Sequence, residues 1–279
     1  MIRWKQFLTP VKSLDAEATR KLIDENSEEQ FTLLDVRQPG EYEHGHLPGA
    51  KLIPLPDLPD RLAELDPEKT QIVYCAVGGR SRVAAQMLAG KGFDRVINMS
   101  GGFKAWKDKS AIGSETQGMS LFTGSETALD TLKIAYSLEQ GLREFYLAMI
   151  DKIENEAAKK LFKQLADIEV KHQDHIYAHY LELADNPAPR DKFEAEITSD
   201  AMEGGLTSDE YAQRFNPDWE SPVDIISLAM SIEAQALDMY TRAAQNADKD
   251  EDSRKVLSQI AREEKTHLAE LGKLMDKIA

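Results

Sequence analysis

The sequence predicts two domains of different class: an α/β domain with a mostly parallel sheet flanked by helices over residues 1–110, and an all-α four-helix bundle over residues 126–279. A linker at residues 111–125 joins them. Three observations carry this expectation. In the first part, short apolar runs alternate with segments of helical period, the pattern of a covered parallel sheet. In the second part the helical periods are long and no strand is evident. The second part also repeats itself. Ser137-Leu138-Glu139 and Tyr146 match Ser231-Ile232-Glu233 and Tyr240 at an offset of 94, and Gln164-Leu165-Ala166, Glu169 and His172 match Gln259-Ile260-Ala261, Glu264 and His267 at an offset of 95.

In chain order, Ser13 is expected to cap a helix running to about Ile23, and Phe31 to Val36 reads as a strand closed by the turn Gln38-Pro39-Gly40. Pro54 to Pro67 is a proline-bounded segment with a short helix. Gln71-Ile72-Val73-Tyr74 is a buried strand ending at Cys75, followed by a helix to about Lys91 and a strand around Arg95–Asn98. From Lys107 to Ser125 the chain is rich in Ser, Gly, Thr and Lys without period, as a linker should be. Beyond it the repeat predicts two helical hairpins with turns near Asn155 and Lys249. A long crossover from Ala184 to Ser221 connects them; it holds Pro187, Pro189, Gly204-Gly205 and Pro217, and a helix start at Thr207-Ser208-Asp209-Glu210.

Bulk properties narrow the function. The chain has 279 residues, a net charge of −15 and a single cysteine. Residues 1–110 carry 16 basic and 16 acidic side chains of totals of 34 and 49, so the whole excess of negative charge belongs to the second part. Such a surface repels nucleic acid and anionic membranes. One cysteine rules out an internal disulfide framework. No signal-peptide core and no long apolar run is present, so a cytoplasmic location is expected.

The first chemistry-bearing stretch is Cys75-Ala76-Val77-Gly78-Gly79-Arg80, followed by Ser81. A cysteine that ends a strand, a loop that two glycines let curl, and a helix that begins at once place successive N–H groups and a helix N-terminus around the sulfur. Thiolates in such places are stabilised and nucleophilic. Arg80 adds positive charge at the far end of the loop. The plainer alternative is an inert buried cysteine beside a glycine turn.

This loop resembles the active-site loop of the rhodanese family. Leu34-Asp35-Val36-Arg37, Glu41-Tyr42 and Gly45-His46-Leu47-Pro48-Gly49-Ala50 resemble the family's first signature, and Ser100-Gly101-Gly102-Phe103, Ala105 and Trp106 its closing one. The resemblance implies that Cys75 accepts a sulfane sulfur as a persulfide and passes it on, with Arg80 stabilising it, Ala76, Val77, Gly78, Gly79 and Ser81 forming the cradle, and Asp35 and Glu41 supporting the loop. His44 and His46 are expected to be structural. Related phosphatases have a loop one residue longer with arginine at the sixth place after cysteine; here that place is Ser81.

The second stretch is the repeat. Residues i and i+3 share a helix face, so Glu169 with His172 and Glu264 with His267 point the same way. Glu139 and Glu233 lie among apolar neighbours, and a carboxylate facing a core must be paired, protonated or metal-bound. Four glutamates and two histidines in this pattern resemble the di-iron site of the ferritin-like superfamily, rubrerythrins in particular. The resemblance implies two irons per chain, with manganese or zinc as alternatives. Glu139 and Glu233 would be terminal ligands, Glu169 and Glu264 bridging, and His172 and His267 would each cap one metal. Tyr146 and Tyr240 either hydrogen-bond these ligands or pack the bundle. His175 and His179 form an accessory site or proton path, or are polar residues near a helix end. The additional glutamate that rubrerythrins carry three residues along the third helix is replaced by Ala236, with Leu142 at the matching place of the first helix.

Two functions follow as expectations. One is a sulfurtransferase coupled to a di-iron site that reacts with peroxide or oxygen under oxidative or sulfur stress. It would use a small-molecule sulfur donor and acceptor and an external electron donor. The other is an iron-storage module with a sulfur-sensing or docking domain. A homodimer is implied by the resemblance alone.

Overall fold

The computed structural model describes residues 10–107, 110–197, 202–247 and 250–278. The chain divides into two units, Met1–Glu115 and Thr116–Ala279.

In the first unit the elements run β1 (Lys12–Leu14), α1 (Ala16–Asp24), β2 (Phe31–Asp35), α2 (Pro39–His44), β3 (Lys51–Leu52), β4 (Thr70–Tyr74), α3 (Gly79–Gly90), β5 (Val96–Met99) and α4 (Gly102–Ala105). The five strands form one parallel sheet in the order β1-β5-β4-β2-β3. Side chains alternate across a strand, so each strand feeds two cores. Leu34 and Val73 join Cys75, Ala84 and Leu88 on one face. Leu33, Ile72 and Tyr74 join Ile23, Tyr42 and Met99 on the other. In register, Asp35 lies opposite Tyr74 on the neighbouring strand, so β2 and β4 end together and present Asp35 beside the residue that precedes Cys75.

Ser13 does not cap the first helix. It lies in β1, opposite Asn98 of β5, and accepts a hydrogen bond from the Asn98 side chain at 3.2 Å. Asp15 is the cap, accepting from Ala18 N at 2.8 Å. Two cap-forming side chains sit two residues apart, and pairing with the sheet decides between them. The segment from Pro54 to Pro67 contains a 3₁₀ turn at Leu62–Glu64.

The second unit contains α5 (Ala128–Ile150), α6 (Glu156–Leu183), α7 (Arg190–Ala195), α8 (Ser208–Phe215), α9 (Pro222–Asn246) and α10 (Glu251–Ile278). The four long helices form a bundle: α5 packs along α6 and α9 along α10, and contacts of α5 with α10 and α6 with α9 join the hairpins. Helix starts follow local chemistry. Thr127 with Asp130 and Thr207 with Glu210 form capping boxes, Asn155 caps α6, and Ser221 caps α9 ahead of Pro222. Asn155 marks the first hairpin turn; Lys249, expected at the second, lies outside the described residues.

Residues 111–125 are divided between the units. Ala111 pairs with His46, and Glu115 accepts from Leu52 N at 2.9 Å. Phe122 is buried against Tyr240 in the bundle core, with ring centroids 5.9 Å apart. Helix α9 is buried on every side through its middle, from Ser231 to Ala244. The crossover and the segment before α5 explain this, because Gly204 of the former packs on Gln235 and Gly118 of the latter on Met239. Among the described residues no helix is long and apolar enough to cross a membrane.

A sulfur loop and a candidate metal centre

The loop after β4 wraps the sulfur. Gly78 takes φ = 96°, a left-handed conformation natural to glycine, as the residue before α3. Its N–H donates to Cys75 Sγ at 3.1 Å. Burial pushes the Cys75 thiol up, but hydrogen bonds from the Ser81 hydroxyl and from the N–H groups of Ser81, Val77 and Gly78 outweigh it, leaving the thiol below its ordinary value. The Ser81 oxygen also lies 2.7 Å from Asn98 Oδ1, a second acceptor for its one proton. The three backbone donors therefore carry the steadier share. Cys75 is buried, while Val77 at the loop tip is 64% exposed.

The closing signature supports the loop from beneath. Phe103 N donates to the Cys75 carbonyl at 2.7 Å and Lys104 N to the Ala76 carbonyl at 3.0 Å. Gly102 takes φ = 58°, and a Cβ there would stand 2.2 Å from the Cys75 carbonyl oxygen. Asp35 holds Arg37 through both carboxylate oxygens at 2.6–3.0 Å in a buried pair, and the Arg37 guanidinium lies 4.4 Å from the Phe103 ring centre. Arg37 also donates to the Gly45 carbonyl at 2.6 Å. His46 is buried and stacked on Tyr42 at 3.7 Å.

Arg80 has a partner the sequence did not suggest. Its two terminal nitrogens donate to the two oxygens of Glu41 at 2.7 and 2.6 Å. The guanidinium draws the Glu41 carboxyl down to about 2. Arg80 thus stands at the loop rim with its charge balanced by Glu41, while the hydrogen bonds to the sulfur come from the loop itself.

The bundle carries a layer of donors between two apolar halves. Each long helix passes from one apolar cluster to the other, and each crosses the layer once. On α5, Leu138 belongs to the first cluster, Leu142 to the second, and Glu139 lies between. Glu169 and His172 lie between Ala166 and Ile176 on α6, Glu233 between Ile232 and Ala236 on α9, and Glu264 and His267 between Ala261 and Leu271 on α10. The four glutamates and His172 are buried. The side chain of His267 is 11% exposed. The imidazoles of His172 and His267 stack with centroids 3.4 Å apart. His172 Nδ1 lies 2.8 Å from Glu169 Oε2 and 3.3 Å from Glu139 Oε2; His267 Nδ1 lies 3.1 Å from Glu264 Oε2 and 3.6 Å from Glu233 Oε2. All six residues predicted from the repeat therefore meet.

A seventh residue meets them that the repeat could not reveal. Glu203, in the 3₁₀ turn Glu203–Gly205 of the crossover, is fully buried. Among the described residues, donor atoms within 4.8 Å of one another form four groups: His172, Glu233 and His267; Glu139, Glu169 and His172; Glu139, Glu203 and Glu264; and Glu169, Glu203 and Glu233. Burial holds the carboxyls of Glu169, Glu203 and Glu264 well above the ordinary carboxylate range. Such a cavity must be neutralised by protons or by cations. Oxygen and imidazole donors of this kind suit iron, manganese or zinc, so the residues present fit a metal centre.

Tyr146 and Tyr240 are buried in the two apolar halves, against Phe162 and Phe122 respectively. Among the described residues neither donates to a donor carboxylate, and the Tyr240 hydroxyl has no partner. His175 is exposed, and His179 lies 3.4 Å from Glu263, outside every group of converging donors.

Comparison with known proteins accords with this geometry. The family model described as "Rhodanese-like domain" matches residues 15–109, and the one described as "Rubrerythrin" matches 130–203 and 224–279. The chain joins a rhodanese-like domain to a rubrerythrin domain. A protein of Allochromatium vinosum named "Sulfurtransferase" is 32% identical over 96 residues, covering 34% of this chain and 88% of that protein. "Rhodanese-like/PpiC domain-containing protein 12, chloroplastic" of Arabidopsis thaliana is 40% identical over 105 residues, and the chain spans only 35% of its length. A solved rhodanese-like domain protein from Staphylococcus aureus is 32% identical, with 37% of this chain and all of that one covered and a TM-score of 0.34.

Proposed function

We propose that the chain is a two-site enzyme, a sulfurtransferase fused to a di-iron centre that consumes peroxide or oxygen. In the rhodanese-like unit the Cys75 thiolate attacks the outer sulfur of thiosulfate or of a persulfide. The S–S bond breaks, sulfite or a thiolate leaves with the electron pair, and Cys75 holds the sulfur as a persulfide. A nucleophilic acceptor then takes the outer sulfur and releases the Cys75 thiolate, so transfer consumes no outside oxidant or reductant. The loop N–H groups stabilise the anionic sulfur in both forms. Named sulfurtransferases among the relatives support this assignment.

In the rubrerythrin unit, Glu139, Glu169, His172, Glu233, Glu264 and His267 would hold two irons. Such a pair, when bound, supplies electrons for reducing peroxide or oxygen. The protein's part is to fix the donors on four helices and to exclude water with the two apolar halves. The electrons would come from an external donor. One observation carries this half: a buried layer of carboxylates, some with unpartnered oxygens, that only positive charge or protons can balance. We assign the pairing of activities to oxidative or sulfur stress in the cytoplasm.

Metal analysis of anaerobically purified full-length protein, with spectra before and after peroxide, tests the centre. Two irons per chain and turnover of peroxide with a reductant are expected. Uptake far beyond two would point to storage, and a chain without metal would remove this half of the proposal.

A further inference from the structure

We propose that Glu203, carried by the crossover and by no bundle helix, is a seventh ligand of the metal centre. The inference rests on the di-metal assignment above and adds a residue to it. Glu203 has no exposed surface, and both of its carboxylate oxygens lack a hydrogen-bond partner. It converges with Glu139 and Glu264 in one donor group and with Glu169 and Glu233 in another. Those two groups include every helix-borne glutamate of the layer. Neither contains a histidine, so Glu203 supplies a carboxylate where no imidazole is grouped.

The turn is built to hold this residue in place. Gly204 and Gly205 take φ = 77° and 75°. A Cβ on Gly204 would stand 2.3 Å from the Tyr211 hydroxyl and 2.8 Å from the Gln235 side chain; one on Gly205 would stand 2.6 Å from Gly118 Cα. The Tyr211 hydroxyl donates to the Glu203 carbonyl at 2.8 Å, and Met202 N donates to the Leu206 carbonyl at 3.1 Å. Backbone groups of the turn are thus satisfied while the side chain is not. A purely structural acid would be expected to bond its neighbours. One turn along α9 from Glu233, where a further carboxylate could have come from the helix, stands Ala236. The crossover provides the carboxylate that the helix does not.

The test uses the full-length protein stripped of metal and titrated anaerobically with Fe(II), read by competition with a chelator and by the metal-induced rise in Tm. Glu203→Gln keeps the shape and removes the charge. If Glu203 is a ligand, at least one of two wild-type binding events weakens by about tenfold or more. The Tm rise on adding metal shrinks accordingly, while the metal-free Tm is unchanged or higher, because an orphan acid has been replaced by an amide. Glu203→Asp, which keeps a carboxylate, should bind more tightly than Glu203→Gln. Two Fe(II) bound by Glu203→Gln at wild-type affinity would overturn the assignment of Glu203 alone. Wild-type protein that binds no Fe(II) would overturn the whole metal centre, a different and separately recognisable result.

Discussion

The sulfur loop and the donor layer both hold charge away from water, and they do so by opposite means. In the loop the stabilising groups lie within seven consecutive residues, Cys75 to Ser81: the Ser81 hydroxyl and the backbone N–H groups of Ser81, Val77 and Gly78. In the layer they are side chains from four helices and a crossover, spread from Glu139 to His267. A backbone cradle is indifferent to most side chains but intolerant of any atom that displaces the chain. A side-chain cavity rests on ordinary helical backbone outside the Glu203 turn, and every donor counts. The two sites should therefore fail under different kinds of substitution.

The sharpest way to break this contrast is reciprocal mutation. Cys75→Ser should abolish thiosulfate-to-cyanide sulfur transfer, by roughly a thousandfold or more, because the nucleophile is lost. Iron content should stay at the wild-type value. Glu264→Ala should strip the metal and its stabilising effect on Tm, and leave sulfur transfer within about twofold, since each unit has its own core. Sulfur transfer by Cys75→Ser, or full iron in Glu264→Ala, would contradict the assignments.

Next in size is Gly102→Ala, which touches no reacting atom. The added Cβ meets the Cys75 carbonyl at 2.2 Å in a left-handed backbone. Strain and overpacking together should cost about 2–5 kcal/mol. Denaturant unfolding would measure that cost, and sulfur transfer should fall with it as the loop is pushed off its geometry. Val77→Ala, at the exposed tip, should change stability by less than about 0.5 kcal/mol. Similar losses at both positions would end the claim that the cradle is a backbone device.

The contrast also explains what the sequence could reveal. The loop was legible because its parts are contiguous: a strand end, two glycines and a helix start leave few alternatives. The six helix-borne donors were legible because duplication wrote the pattern twice. Glu203 belongs to neither class. It sits in a segment without a second copy, and its neighbours give it no periodicity; a Glu-Gly-Gly turn in a long crossover was the one local signal. The Glu41–Arg80 pair was hidden for the same reason, since 39 residues separate its members. Ser13 misled because a cap is a local preference, and sheet pairing outweighs it.

A smaller effect concerns the acidity of the thiol. Because hydrogen bonds hold the Cys75 thiol below its ordinary value, the reactive thiolate persists to lower pH than in a free cysteine. The rate of iodoacetamide alkylation against pH should show its midpoint below that of a free cysteine measured alongside. Ser81→Ala removes one contributor and should move the midpoint up only slightly, because three backbone donors do not depend on that hydroxyl. A large upward shift would mean that a side chain, after all, sets the charge of this loop.

The smallest expected effect separates packing from ligand support in the bundle. The Tyr240 hydroxyl is buried without a partner. Removing an unsatisfied buried hydroxyl deletes a polar group that has already lost its water and made no bond in return, so the change should be neutral or mildly stabilising, by up to about 1 kcal/mol. Tyr240→Phe should accordingly leave Fe(II) affinity within about twofold and the metal-free Tm level or slightly raised. If affinity instead dropped tenfold with the metal-free Tm unchanged, the hydroxyl would be bonding a ligand in the loaded centre. The donor layer would then extend a further turn into the apolar half than the seven converging residues mark out.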